Sequence, residues 1–311
     1  MAGVLIEDMK LPSGSGLGPY EVDTLIGTGG MGAVYRARDM RLNRHVALKV
    51  LDASAGTDAD RLARFAQEAR NTALLNHPNI VSVYDAGLDA GVPFVVTELL
   101  RGETLRARIR RGTLPVRAAI GVALEIARGL TAAHNLDVVH RDLKPENVFI
   151  TEDGRVKILD FGLAKCRHQS VCPDQDAAST RPGMLLGTVG YMSPEKVLGA
   201  TTDARSDIFS LGVILHEMLS GVAPFHGDSA IETLHAILKD DAPALPNREG
   251  ISEELEHVVQ HCLEKRAGAR FQSARDLAFV LEFMLRLPRS LPARQRRPMA
   301  RRLLASILGF L

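Results

Sequence analysis

Hydrophobic and polar positions follow a strand-like pattern in the first third of the chain and a helical period in the rest. Strands are predicted in four short segments rich in β-branched and aromatic residues, namely residues 20–22, 33–37, 45–51 and 93–97. Apolar residues at helical spacing predict one helix over about 59–75. Beyond these segments the pattern is mainly helical, most clearly over residues 117–135, 206–220, 230–238 and 253–262. The chain therefore divides into a strand-rich part, about 19–97, and a helical part, about 101–286.

Composition and charge narrow the class of protein. The 311 residues carry 38 basic and 37 acidic side chains, which excludes the broad positive field of a non-specific nucleic-acid binder. Three cysteines form no disulfide framework and fit a reducing compartment. The amino terminus lacks the pattern of a secretory signal peptide, and no apolar run reaches the roughly 18–20 residues of a spanning helix. We expect a cytoplasmic protein that does not bind nucleic acid.

A glycine-rich segment separates the first two predicted strands. Residues 27–32 read Gly-Thr-Gly-Gly-Met-Gly, and Val34 follows on the next strand. Glycines between two strands favour a hairpin that covers a phosphate with backbone N–H groups over a dinucleotide-binding turn, which would lead into a helix. On this motif alone, a plain flexible hairpin stays open as the alternative.

Two charged residues follow at a spacing that allows an ion pair between them. Lys49 lies on an apolar strand, and Glu68 lies nineteen residues later on the predicted helix. A lone lysine on a strand is usually a solvated surface charge. Here the apolar flanks allow a buried pair with Glu68 that would aim the ammonium at a phosphate.

The segment 138–162 carries the most specific motif. Asp142 and Asn147 lie five residues apart in a loop that contains Pro145, and Asp160 ends a later apolar stretch before Phe161. A carboxylate can accept the proton of an attacking hydroxyl, whereas amide and carboxylate oxygens suit a hard metal ion. The spacing therefore predicts a general base at Asp142 and metal ligands at Asn147 and Asp160.

In this order, the motifs resemble those of bacterial eukaryotic-like (Hanks-type) serine/threonine protein kinases over about residues 19–286. The resemblance implies an α+β, bilobal fold, with a small antiparallel β lobe that carries one helix (19–97) and a larger, mainly helical lobe (101–286). Residues 1–18 would be an amino-terminal extension, and residues 287–311 a basic and apolar tail. The implied reaction is transfer of the γ-phosphoryl group of ATP to Ser/Thr hydroxyls of proteins, with Mg²⁺ or, alternatively, Mn²⁺. A nucleotide-binding, pseudokinase-like scaffold is the alternative.

The resemblance also implies roles for individual residues. Lys49, paired with Glu68, would hold the α- and β-phosphates, and Lys144 would neutralise charge on the transferred group. Asp142 would be the catalytic base. The positions that would contact ATP are Ile26, Gly27, Thr28, Gly29, Gly30, Met31, Gly32, Val34, Ala47, Lys49, Glu98, Leu100 and Phe149. Because the catalytic set is complete, the resemblance favours an enzyme over the scaffold.

Three further matches imply structural roles. Glu195 follows Ser193-Pro194, where the family usually has Ala-Pro-Glu, and Arg270 matches its ion-pair partner. Asp207 matches the aspartate that holds the backbone of the catalytic loop. These residues would support the site without taking part in the reaction.

Regulation is implied by a loop over residues 163–186. Arg141 and Lys165 would form an anion pocket for a phosphate on Ser179 or Thr180. Unmodified hydroxyls are the alternative. Thr188 matches the threonine that would bond the catalytic aspartate and lysine and that favours Ser/Thr acceptors. The family also includes kinases that phosphorylate themselves in trans as homodimers.

The carboxyl-terminal tail carries a positive charge that the near-zero net charge of the whole chain conceals. Seven arginines lie between Arg286 and Arg302, and no acidic residue follows Glu282, so the remainder has 31 basic against 37 acidic residues. Residues 299–311 predict a short helix with one apolar side, about 20 Å long. Three alternatives stay open for 287–311: a helix on the inner face of the membrane, the start of a spanning helix, or a docking or disordered segment.

Overall fold

The amino-terminal part of the chain folds into an antiparallel sheet. Its strands are β1 (Gly16–Leu17), β2 (Tyr20–Gly29), β3 (Gly32–Asp39), β4 (Arg44–Leu51), β5 (Val83–Asp89) and β6 (Val92–Glu98). Their order is β1-β2-β3-β4-β6-β5. The four predicted strand segments fall within β2, β3, β4 and β6. Strand β1, which pairs with β2, begins within the segment expected to be an extension.

This computed structural model describes residues 11–29, 32–51, 72–89, 91–161, 189–246 and 251–287. The chain forms two units, one of residues 1–102 with 162–170 and the other of residues 103–161 with 171–311. The predicted helix over 59–75 falls largely outside the described residues.

Alternation along β4 explains how the sheet forms its core. Val46, Leu48 and Val50 are buried, whereas the residues between them are only partly buried. Successive strand residues point to opposite faces, so these three pack on one face, together with Tyr35 and Phe94. Ala47 and Lys49 are left on the other face of the sheet.

The second unit is mainly helical. Its helices are α1 (Leu105–Arg110), α2 (Val116–His134), α3 (Pro194–Val197), α4 (Ala204–Ser220), α5 (Ala230–Lys239), α6 (Glu253–Cys262) and α7 (Ala274–Arg286). A small sheet contains β7 (Gly102–Thr104), β8 (Val148–Thr151) and β9 (Val156–Ile158), in that order. The α+β class expected from the sequence is confirmed.

Local sequence explains where the helices begin. Ser229, Ser252 and Ser273 each accept a hydrogen bond from a backbone N–H of the first turn of α5, α6 and α7, which satisfies a donor that the helix leaves unpaired. Helix α4 is buried from Ser206 to Leu219, which is typical of a helix at the centre of a unit. Among the residues described, none of the helices is both long and apolar enough to cross a bilayer.

Candidate active site

The glycine-rich segment forms the expected hairpin between two strands. Strand β2 pairs with β3 as far as Gly29 opposite Gly32, and a register shift lies between Leu25 and Gly27. Gly32 has a φ of 131°, and a Cβ there would lie 1.9 Å from the carbonyl oxygen of Val50. Only glycine fits this position. Gly30 and Met31 lie outside the described residues.

Three of the residues predicted to contact ATP, namely Val34, Ala47 and Lys49, share one face of the sheet. Val34 is opposite Lys49 in the β3–β4 pair, and Ala47 is opposite Thr97 in the β4–β6 pair. Because residues directly opposite each other point to the same face, these side chains lie together, away from the apolar core. Glu68, the proposed partner of Lys49, lies outside the described residues.

Glu98, the last residue of β6, is bound to Ser82 through its side chain and its backbone. Its carboxylate Oε1 accepts from the Ser82 amide at 2.8 Å, and its own N–H donates to the Ser82 carbonyl at 3.0 Å. Leu100 follows two residues later. Phe149, another predicted ATP contact, is on β8 in the other unit, and Ile26 and Thr28 are on β2.

Asp207 of α4 binds the backbone of the loop over residues 140–147, which carries Asp142 and is called the catalytic loop. The two carboxylate oxygens of Asp207 accept from the amides of His140 and Arg141 at 2.8 and 2.9 Å, and His134 Nε2 lies 2.8 Å from Oδ2. Burial alone would raise the pKa of Asp207, but these hydrogen bonds, that of His134 first, outweigh it and lower the pKa. A charged Asp207 therefore orders this backbone, as its match to the family implied.

His140 connects the catalytic loop to the end of β9. Its ring Nδ1 lies 3.2 Å from the amide of Asp142, and its Nε2 lies 2.8 Å from the carbonyl of Leu159. A backbone N–H can only donate, so Nδ1 accepts and the ring proton is on Nε2. The buried ring thus joins the two segments that carry Asp142 and Asp160.

Asp142 is surrounded by the groups that the sequence places near it. Lys144 Nζ lies 2.9 Å from Oδ2. Asn147 Nδ2 donates to the carbonyl oxygen of Asp142 at 2.8 Å and to Oδ2 at 3.3 Å. These contacts arise locally, because a 3-10 turn over Pro145–Asn147 reverses the chain between Asp142 and Asn147.

The proposed metal ligands are brought together by backbone pairing. Leu159 donates its N–H to the carbonyl of Asn147 at 2.8 Å, and β8 pairs with β9 through Val148 and Ile158. Asp160, next to Leu159, has a φ of 57°, a conformation seldom found outside glycine and common at functional sites. The amide Nδ2 of Asn147 donates to Asp142, so its Oδ1 can serve as a ligand, and an amide and a carboxylate oxygen suit a divalent cation.

Glu195 and Arg270 form the expected ion pair. Arg270 Nη1 and Nη2 contact the two carboxylate oxygens at 2.9 and 2.8 Å. The remaining guanidinium hydrogens bond three backbone carbonyls, those of Glu264, Lys265 and Arg205. Arg270 is fully buried, and each of its five donors has an acceptor. The pair anchors α3 to the rest of the unit.

A second charged cluster was missed by sequence reasoning. Arg106 of α1 contacts Glu146 at 2.7 Å and Glu217 at 2.6 Å, and it also donates to the hydroxyl of Tyr191. That hydroxyl donates to Glu217 at 2.5 Å. The cluster ties the catalytic loop to α1 and α4. The intervals along the chain are too long for spacing to reveal it.

Several predicted regulatory residues lie outside the described part of the chain. They are Lys165, Ser179, Thr180 and Thr188. Arg141, which would pair with a loop phosphate, is described, and its buried Nε has no hydrogen-bond partner among the described residues.

Comparison with known proteins agrees with this geometry. The protein kinase domain family matches residues 20–278. Serine/threonine-protein kinase PknL of Mycobacterium bovis is 41% identical over 265 residues, which cover 85% of this chain and 65% of that protein. PknB of Mycobacterium leprae is 40% identical over 264 residues, which cover 83% of this chain and 42% of that protein. The chain thus spans less than two thirds of either relative.

A solved structure supports the same assignment. The fold matches a mutant of the Mycobacterium tuberculosis PknI kinase domain with a TM-score of 0.69 and 26% identity, over 89% of this chain and 99% of that one. The family implies use of ATP and a divalent metal ion, with proteins as substrates. The chain belongs to the protein kinase family, in its bacterial serine/threonine branch.

Proposed function

We propose that this chain is an active kinase that transfers the γ-phosphoryl group of ATP to serine and threonine hydroxyls of proteins, with Mg²⁺ as the metal ion. The arrangement around Asp142 carries the proposal. Lys144 and Asn147 both contact Oδ2, and none of the described residues directs a hydrogen bond to Oδ1. Oδ1 can therefore accept the proton of the acceptor hydroxyl.

The remaining groups have complementary tasks. Lys144, held against Asp142, brings a positive charge to the transferred group. Asn147 and Asp160 would hold the divalent ion, which supplies positive charge against the phosphates of ATP when bound. Lys49, on the sheet face that also carries Val34 and Ala47, would orient the nucleotide.

Autophosphorylation with γ-³²P-ATP tests this proposal. We expect the wild type to incorporate label with Mg²⁺, and Asp142→Asn to lose at least about a hundredfold in rate, because general-base catalysis contributes about 10²–10⁴. Asp153→Asn, in the exposed β8–β9 turn, is the matched control and should stay active. A wild type that binds ATP but transfers no phosphate would favour the scaffold. Mn²⁺ in place of Mg²⁺ tests the choice of metal.

We further propose that a phosphate on Ser179 or Thr180 pairs with Arg141 and Lys165 and activates the enzyme. The support is the buried Nε of Arg141, which lacks a partner among the described residues, together with the charge that a phosphate would bring. A Ser179→Ala/Thr180→Ala variant should be less active than the wild type after preincubation with Mg-ATP. Equal activity and equal phosphate content would contradict the idea. Second-order dependence of labelling on protein concentration would support a homodimer that reacts in trans.

Location is also a proposal. We place the protein in the cytoplasm, with residues 287–311 against the inner face of the cell membrane, because of the seven arginines between Arg286 and Arg302 and the apolar residues beyond them. Co-sedimentation with anionic liposomes should fall when residues 287–311 are removed. Equal binding by both forms would favour the docking or disordered alternative.

A further inference from the structure

The residue before Asp142 has an unusual backbone that is held at both of its polar groups. Arg141 has a φ of 66°, which residues with a side chain seldom adopt unless the surrounding structure imposes it. Its N–H donates to Asp207 Oδ1 at 2.9 Å. Its carbonyl oxygen accepts from Lys196 Nζ at 2.6 Å. Two charged side chains from outside the loop therefore determine how the backbone enters Asp142.

Lys196 owes its position to its neighbour in sequence. It lies on α3, a helix of four residues, which is too short to be stable by itself. The helix is fixed by Glu195, whose carboxylate is bound by Arg270 and by Ser206 Oγ. The buried ion pair thereby places the Lys196 ammonium against the catalytic loop, 55 residues away along the chain.

The surroundings of Lys196 are strongly charged. Asp142 and Asp207 favour its protonated form, whereas Lys144 and Arg141 disfavour it. Burial, the largest effect, lowers the pKa of Lys196 from its ordinary value, and the two carboxylates only partly oppose this. The positive charge that strengthens the hydrogen bond to the Arg141 carbonyl is therefore lost at a lower pH than for an exposed lysine.

We propose that Lys196 is a positioning residue for phosphoryl transfer, whose ammonium holds the carbonyl of Arg141 and so fixes the backbone that presents Asp142 to the acceptor hydroxyl. This inference rests on the proposed kinase function. Lys196 lies outside all the motifs on which the family assignment depends. It acts through Arg141, so it should change the rate of transfer and leave the binding of ATP unchanged.

Full-length Lys196→Met, Lys196→Arg and wild-type proteins test the role. Initial rates of autophosphorylation are measured over a range of Mg-ATP concentrations. Lys196→Met should lower the saturating rate by about ten- to a hundredfold, the equivalent of one charge-assisted hydrogen bond, with half-saturating Mg-ATP changed by less than about twofold. Lys196→Arg should recover most of the rate. The matched control is Lys239→Met, at the exposed end of α5, and it should behave as the wild type.

The pH profile separates positioning from simple packing. The wild-type rate should fall at alkaline pH as Lys196 loses its proton. In Lys196→Arg this fall should move to higher pH, because a guanidinium stays protonated. A side chain that only packed against its neighbours would leave the alkaline limb of Lys196→Arg unchanged, and that result would overturn the proposal.

The other outcomes are equally decisive. A Lys196→Met enzyme with the wild-type rate at every pH would refute the positioning role while leaving the kinase function intact. If the wild type itself incorporates no label, the kinase function is refuted instead. If Lys196→Met does not fold, as judged by circular dichroism, the pH profile of Lys196→Arg decides alone.

Discussion

Replacing Glu195 by glutamine should destabilise the helical unit by breaking its buried ion pair. The variant keeps the size of the side chain and removes its charge, while Arg270 stays charged and fully buried. Two charge-assisted hydrogen bonds, at 2.9 and 2.8 Å, become weaker, and one of them loses its acceptor because an amide has a single oxygen.

The magnitude follows from the titration of Glu195. Burial alone would raise its pKa, but hydrogen bonds from Arg270 and Ser206 outweigh burial and lower the pKa from its ordinary value of 4.5 to about 2. That difference corresponds to about 3 kcal/mol of stability, close to the cost of about 3–5 kcal/mol for removing one partner of a buried pair. Since Glu195 is 15% exposed and glutamine keeps one acceptor, we expect a loss of about 2–3 kcal/mol.

The effect should depend on pH in a defined direction. A carboxyl group whose pKa is lowered by folding stabilises the protein fully above its unfolded-state pKa, here about 4.5, and the stabilisation is lost as the pH falls toward 2. Wild type and Glu195→Gln should therefore differ most at pH 7 and converge as the pH falls to about 2.

Urea unfolding followed by circular dichroism measures this difference. Glu152→Gln, in the exposed β8–β9 turn, is the control and should match the wild type. A loss of less than about 1 kcal/mol at pH 7, or the same loss at both pH values, would refute the reasoning.

Three substitutions elsewhere in the same unit test its packing and charge. Ser193→Ala should stabilise by about 1 kcal/mol, because the buried Ser193 hydroxyl has no hydrogen-bond partner among the described residues; a lower Tm by calorimetry would contradict this. Gly212→Ala should destabilise by about 1–2 kcal/mol, since its Cβ would lie 2.6 Å from that of Cys262, and overpacking outweighs the helix propensity gained. Urea unfolding identical to that of the wild type would show that the packing between α4 and α6 adjusts to the added methyl group. Arg106→Met should cost about 3 kcal/mol, because it leaves the buried Glu217 carboxylate without its cation; the same urea assay applies, and a neutral result would mean that water replaces the guanidinium.

Elements with a strong period could be predicted from sequence. The helix expected over 117–135 is α2, Val116–His134, and the one expected over 253–262 is α6 with the same bounds. In a long amphipathic helix the apolar residues recur several times at the same spacing, so the sequence of that segment alone reveals the helix. By contrast, α1 has six residues and β5 alternates between half-buried and exposed positions. Neither hydrophobic pattern differs enough from that of a loop for the helix or the strand to be recognised from sequence.

The core of the site could be predicted for a related reason. Asp142, Lys144 and Asn147 lie close together in one loop, so their spacing in the sequence already implies that they are in contact. Lys196 and Arg106 could not be recognised in this way, since their partners lie 55 and 111 residues away. A lysine or arginine in sequence gives no sign of whether it will be solvated or buried against a carbonyl or a carboxylate.

The sequence by itself determined the family, the α+β class and the chemical identity of the proposed base and metal ligands, because these depend on residue type and on short intervals along the chain. Only the tertiary structure decided how the catalytic loop is held. Asp207, Lys196 and the carbonyl of Leu159 reach the loop from different segments, and a buried polar group is stable only where folding brings it a partner. The physical reason is that hydrogen bonds and ion pairs act over a few ångströms, whereas the order of residues defines proximity only for near neighbours.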